Sequence, residues 1–113
     1  ADLDVFKMEK AAKTLIGNHD FSTFRASYCQ ARSPIKTLDH IEIKRSHDDI
    51  KITLRARSFL HHQVRNIVGT LRLVGEGKWT LQDFRSALKA KDRSKGGQTA
   101  PAAGLYLIGV KYN

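Results

Sequence analysis

Between Ile50 and Leu71 the apolar residues change their period, and few folds accommodate that change. Ile50, Ile52, Leu54 and Ala56 alternate with Lys51, Thr53, Arg55 and Arg57. This is the period-two pattern of a strand with one face toward a core and the other toward water. Leu60, Val64, Ile67, Val68 and Leu71 then fall at i, i+4, i+7, i+8 and i+11, the spacing of one helix face turned to a core. Strand and helix must share that core, so the spacing predicts a helix laid on a sheet. Ser58, where the strand gives way, is the expected helix cap. At 100° per residue, His61, Arg65 and Arg72 line up beside the apolar stripe instead of opposite it. Gly69 lies one turn beyond Arg65 on roughly the same side. An arginine at such a border keeps its stem packed while its head reaches outward.

The flanking segments fit the same plan. Leu38 to Arg45 reads as a strand with Ile41 and Ile43 on one face and Glu42 and Lys44 on the other, and Ser46-His47-Asp48-Asp49 is turn chemistry. The two strands predict an antiparallel hairpin with a basic outer face. Asp2 or Asp4 caps a first helix carrying Val5, Met8, Ala12, Leu15 and Ile16, stopped by Gly17. Asp20 caps a short turn that presents Phe21 and Phe24 to the core. The segment from Ser27 to Pro34 has loop character; with Arg25, Tyr28 and Arg32 it suits either a phosphate backbone or a solvated loop. After Gly75-Glu76-Gly77, Thr80 and Asp83 form a capping-box variant opening a helix with Leu81, Phe84 and Leu88 inward and Trp79 ahead of it. Asp92 to Gly104 is a loop whose lysine and glycines lack the spacing of a phosphate-cradling loop. Leu105 to Tyr112 is apolar on both faces, the pattern of a central strand covered on both sides. The expectation is one α+β domain over residues 1–113, an antiparallel sheet with helices packed on one face.

Charge narrows the partner. Twenty Lys and Arg stand against eleven Asp and Glu, a net charge of +9 over 113 residues. A small domain this basic commonly meets a polyanion, nucleic acid above all. Cys29 is the only cysteine, which rules out an internal disulfide or a thiolate cluster and points to a reducing compartment, the cytoplasm. No run reaches the length of a membrane span, so no membrane partner is expected. The five histidines, His19, His40, His47, His61 and His62, include no i, i+4 pair, so no metal site is expected. The carboxylates all read as caps, turns or solvated faces. The chain opens on Ala-Asp-Leu-Asp without an initiator Met, which suggests a piece of something longer. Residues alone therefore give a basic domain that touches RNA or DNA, and no enzyme.

Three stretches carry a resemblance. Phe59-Leu60-His61-His62-Gln63-Val64-Arg65-Asn66-Ile67-Val68-Gly69, Gly17-Asn18-His19-Asp20-Phe21-Ser22-Thr23-Phe24-Arg25, and Asp92-Arg93-Ser94-Lys95 through Thr99-Ala100-Pro101-Ala102-Ala103-Gly104-Leu105-Tyr106-Leu107 together resemble the tRNA pseudouridine synthase A family. The resemblance covers essentially the whole chain. It implies half of a pseudouridine synthase fold, homodimerisation of the full-length protein, and isomerisation of uridines in the anticodon stem-loop of tRNA without metal or organic cofactor. It implies that Arg65 pairs with the catalytic aspartate, that Leu105 packs on the target base, and that Gly104 lets the backbone come close there. Arg25, Lys51, Arg55, Arg57, His61 and Arg72 would line the track for tRNA phosphates.

The sequence also departs from the family. The Gly-Arg-Thr-Asp motif that carries the family's catalytic aspartate does not occur, and Tyr28, Tyr106 and Tyr112 are misplaced for its base-stacking tyrosine. The chain therefore reads as the C-terminal domain alone, without the nucleophile and inactive by itself. Two alternatives stay open: Arg65 serves an internal salt bridge with Glu76 or Asp83, or the chain is a stand-alone basic RNA-binding module.

Overall fold

A computed structural model of the chain describes residues 3–26, 33–47, 49–60, 62–100, 106–107 and 111–112. In order, these form α1 (Val5–Lys13), β1 (Gly17–Asp20), a 3-10 turn (Ser22–Phe24), β2 (Ile35–Ser46), β3 (Asp49–Ala56), α2 (Gln63–Gly75) and α3 (Leu81–Ala90). A second 3-10 turn (Arg93–Lys95) and the short β4 (Tyr106–Leu107) and β5 (Lys111–Tyr112) follow. The class is α+β, with β1, β2 and β3 forming an antiparallel sheet.

The hairpin has the predicted polarity. Ile50, Ile52, Leu54 and Ala56 are buried, and Lys51 and Arg55 are exposed. Opposite them, Ile43 pairs with Ile52 and Ile41 with Leu54. Leu38 is also buried although it lies an odd number of residues from Ile41. A bulge between Leu38 and His40 explains this: the extra residue resets the alternation, so both side chains reach the core. Onto this face pack Met8 of α1 and Leu15 just after it, Ile67 and Leu71 of α2, and Phe84 of α3. Phe21 and Phe24 are fully buried, as expected, and the Phe24 and Phe84 rings sit 5.9 Å apart at 30°. Helices cover one face; the other keeps its cations.

Several local expectations are corrected. Helix α1 is capped by Asp4, which accepts from the Lys7 N–H, but it stops at Thr14. Gly17 adopts φ +107 and opens β1 instead of ending the helix, which leaves Ile16 exposed. The polar Gly17–Asp20 segment pairs with Ile35–Leu38 as an edge strand, a case of tertiary pairing overriding low β-propensity. Ser58 does not cap α2. The cap position is His62 in the left-handed region, and the entry is held by Gln63, whose Oε1 accepts from the Leu60 N–H at 2.8 Å. Ser58 instead accepts from Lys36. The α3 capping box forms in full, but its first residue, Leu81, stays exposed and Ala87 is buried in its place.

The last strand differs too. β4 and β5 pair with β3 in parallel, at the outer edge of the described strands, not as an antiparallel or central strand. The physical reason is the connection. The two helices α2 and α3 between β3 and β4 supply the long crossover that a parallel pairing requires.

Candidate functional site

Arg65 lies in the first turn of α2 and is half-buried. It is fixed at two points to one residue of the loop after α3. Its Nε donates to the Ala100 carbonyl at 2.9 Å, and the Ala100 N–H donates to the Arg65 carbonyl at 3.0 Å. Neither proposed internal acid reaches it. Glu76 is shared by Arg72 at 3.5 Å and Lys78 at 3.7 Å, and Asp83 is engaged in the α3 capping box. Among the described residues Arg65 has no carboxylate partner, so the internal salt bridge is not formed. With Nε committed, the two terminal nitrogens remain, and these can grip a carboxylate end-on.

The loop can reach Arg65 because α2 is thin beneath it. A Cβ on Gly69 would sit 1.8 Å from the Gln98 carbonyl oxygen. Any side chain there must push the loop off the helix. The segment Gly96–Ala100 therefore lies on α2 as a strap, and a groove of about 520 Å³ runs along it, bounded by Arg72, Glu76 and Lys78.

A buried polar stripe of α2 holds the strap, and the sequence reading missed it. Gln63, Asn66 and Thr70 are all within 1 % of full burial, a placement that is costly unless every polar atom is bonded. Asn66 Nδ2 donates to the Phe24 carbonyl at 2.7 Å. Its Oδ1 accepts from Arg93 at 3.2 Å and from the Thr99 hydroxyl. Arg93 also donates to Thr99 Oγ1 at 3.3 Å. Thr70 donates to the Asn66 carbonyl and accepts from the Gly97 N–H. The available signal was a polar set at i, i+3 and i+7 within an otherwise apolar helix face.

The other predicted residues divide between two faces. Lys51 and Arg55 project from the open face of the sheet, where Lys44 pairs across from Lys51 and His40 from Arg55. Glu42 on this face lies 3.3 Å from Lys44 and 3.8 Å from His40, and exposed Asp49 opens β3 two residues before Lys51. Arg57, just past β3, lines a groove of about 420 Å³ with Asn18, Ile35 and Lys36. Arg72 belongs to the helix layer and is engaged by Glu76, and half-buried Arg25 follows the first 3-10 turn. These two are not brought onto the sheet face. His61, Gly104 and Leu105 lie outside the described residues. A cleft of about 550 Å³ lined by Lys13, His19, Arg85, Lys89 and Lys91 contains none of the predicted residues. Its lysines gather where α1 and α3 end, which suits the negative ends of both helices.

The domain thus combines a cationic sheet face with an oriented arginine that has no carboxylate partner among the described residues. A family model described as tRNA pseudouridine synthase matches residues 11–113, and the chain belongs to that family. Among curated proteins it is similar to the tRNA pseudouridine synthase A of Paramagnetospirillum magneticum, at 61% identity over 98% of this chain and 43% of the relative. The tRNA pseudouridine synthase A of Xanthobacter autotrophicus is 58% identical over 97% of this chain and 45% of its own length. That of Brucella anthropi is 56% identical over 97% and 44%. The chain spans less than half the length of these relatives. Among its described residues no helix is long and apolar enough to cross a membrane.

Proposed function

We propose that residues 1–113 form the C-terminal domain of a cytoplasmic tRNA pseudouridine synthase, supplying one wall of an active site whose catalytic aspartate comes from the other half. The observation that carries this reading is Arg65: a guanidinium anchored through Nε, half-buried, and without an acid among the described residues. Such a group favours the ionised form of a carboxylate docked against it. The reaction breaks the N1–C1′ bond of uridine and forms C5–C1′. The C5 proton is lost, N1 gains one, and no cofactor is consumed. Leu105 packs on the target base and Gly104 permits the close backbone approach. Lys51, Arg55 and Arg57, with Arg25, His61 and Arg72, contact phosphates of the anticodon stem-loop, and the base leaves its stack to be reached. The full-length protein works as a homodimer.

A second reading is favoured by the exposed cations around Lys51 and Arg55, which suffice for RNA binding without chemistry. Tritium release from tRNA labelled at uridine C5 separates the two. The 113-residue chain alone releases none, and adding the upstream half restores release. Release by the chain alone refutes the divided site. Silence with both halves present leaves the binding module.

A further inference from the structure

We propose that Arg93, Asn66 and Thr99 are positioning residues that set the Arg65 guanidinium through the strap, and so tune the acid it engages. The inference rests on the reading of Arg65 as partner to a carboxylate of the other half. Arg65 is held by the Ala100 backbone, so its orientation is only as good as the placement of Ala100. That placement is decided one residue away. Thr99 bonds Asn66, and Arg93 bonds both of them, with Asn66 itself anchored to the Phe24 carbonyl. Gly69 removes a side chain that would stand 1.8 Å from the Gln98 carbonyl oxygen.

The charge on Arg93 adds a second argument. Among the described residues it bonds only neutral acceptors and forms no ion pair. A neutral donor would satisfy Asn66 and Thr99 equally well. A cation there adds a second guanidinium, just ahead of the strap, to that of Arg65 on α2, and among the described residues neither forms an ion pair. The resulting positive potential depresses the pKa of a carboxylate arriving at Arg65. The pair thus orients the incoming acid and keeps it ionised.

The test uses the full-length protein and tRNA, with kcat, KM and the pH profile measured for Arg93→Gln, Thr99→Val, Thr99→Ser and Arg65→Ala. The expected result for Arg93→Gln and Thr99→Val is a fall in kcat of roughly tenfold to a hundredfold, the scale of a small misplacement of a reacting group, with KM unchanged. In Arg93→Gln the acidic limb of kcat/KM moves to higher pH, because the carboxylate loses part of what held its pKa down. Thr99→Ser keeps the hydroxyl and keeps the rate. A loss of rate in Arg93→Gln that is uniform across pH and tracks a lower melting temperature makes its role merely structural and overturns the proposal. So does wild-type turnover in Arg93→Gln and Thr99→Val while Arg65→Ala is inactive; the reading of Arg65 then survives without its positioning residues. Full activity in Arg65→Ala removes the reading itself.

Discussion

The strap on α2 and the open face of the hairpin both carry cations, but they hold them in opposite ways. Against the strap, Arg65 of α2 and Arg93 of the preceding 3-10 turn are half-buried and bonded to a carbonyl and to neutral side chains. On the sheet, Lys44, Lys51 and Arg55 are exposed, with Glu42 the one acid between His40 and Lys44. Groups fixed by short bonds in a low-dielectric setting supply orientation, which salt scarcely touches. Exposed charges supply a field that attracts phosphates in any register and fades over about a Debye length of roughly 8–10 Å. One domain thus separates the task of aligning chemistry from the task of collecting RNA.

The sharpest way to break the comparison is to remove the oriented cation. Arg65→Ala in the full-length protein lowers kcat on the order of 10²–10³-fold, the scale of losing one preorganised charged donor, and leaves tRNA affinity nearly intact. Binding that collapses in step with turnover would assign Arg65 to the field and not to the chemistry. Next is the contact that makes the strap possible. Gly69→Val places atoms where the Gln98 carbonyl already sits. Overpacking of this kind costs roughly 1–3 kcal/mol, and about 1 kcal/mol moves the melting temperature of a domain this size by roughly 4 °C or more. Calorimetry of this variant should show the drop, and turnover should fall further than stability alone explains. An unshifted melting temperature would mean that the strap does not lie on the helix.

The sheet face should respond in the other currency. Lys51→Gln combined with Arg55→Gln weakens tRNA binding about tenfold at moderate salt and reduces the slope of log affinity against log salt by about two, close to 0.9 for each lost phosphate contact. Turnover at saturating tRNA stays at the wild-type rate. A changed kcat with an unchanged salt slope would erase the division between the two regions.

What the sequence made legible follows the same division. The hairpin was readable because alternation with a period of two reports burial directly, and Ile50 to Arg57 contains no exception to it. The core face of α2 was readable in part at a period near four: Ile67, Val68 and Leu71 are buried as expected, while Leu60 is buried ahead of the helix and Val64 is half-buried. The strap was not. Asp92 to Gly104 looks like an ordinary polar loop, and the order of its Gly96–Ala100 part comes from Asn66 and Gly69, neither adjacent to it in sequence. Asn66 gave the weakest signal, because a polar residue on an apolar face is noticed only when its partners are known. Arg65 was flagged by its position at the border of the stripe and by the motif around it. The acids proposed for it, Glu76 and Asp83, proved to be taken by Lys78, Arg72 and a helix cap. The parallel return of β4 and β5 was hidden as well, since strand direction depends on the path of two intervening helices and not on the strand's own residues.

The smallest effect lies just ahead of the strap and tests whether bonding or field governs the charges there. Asp92 is exposed, and its Oδ1 accepts from the Ser94 N–H at 2.9 Å and the Ser94 hydroxyl at 2.8 Å. These bonds, the backbone one first, hold its carboxyl below the ordinary 3.8, against a slight opposing desolvation and with a lesser contribution from Lys95. A carboxylate whose folded pKa is depressed contributes stability at pH above its unfolded value, and that contribution is lost as pH falls through the folded one. The turn Arg93–Lys95 should therefore begin to loosen only in strong acid, below the usual carboxylate range, as seen in amide exchange. Ser94→Ala deletes the hydroxyl bond and should bring the Asp92 carboxyl back toward 3.8 in a carbon-13 titration. High salt, which screens Lys95 but not a hydrogen bond, should hardly move it. A titration that shifts with salt and ignores Ser94→Ala would place Asp92 under the same exposed-charge physics as the sheet face, and the contrast between the two regions would end at Arg65.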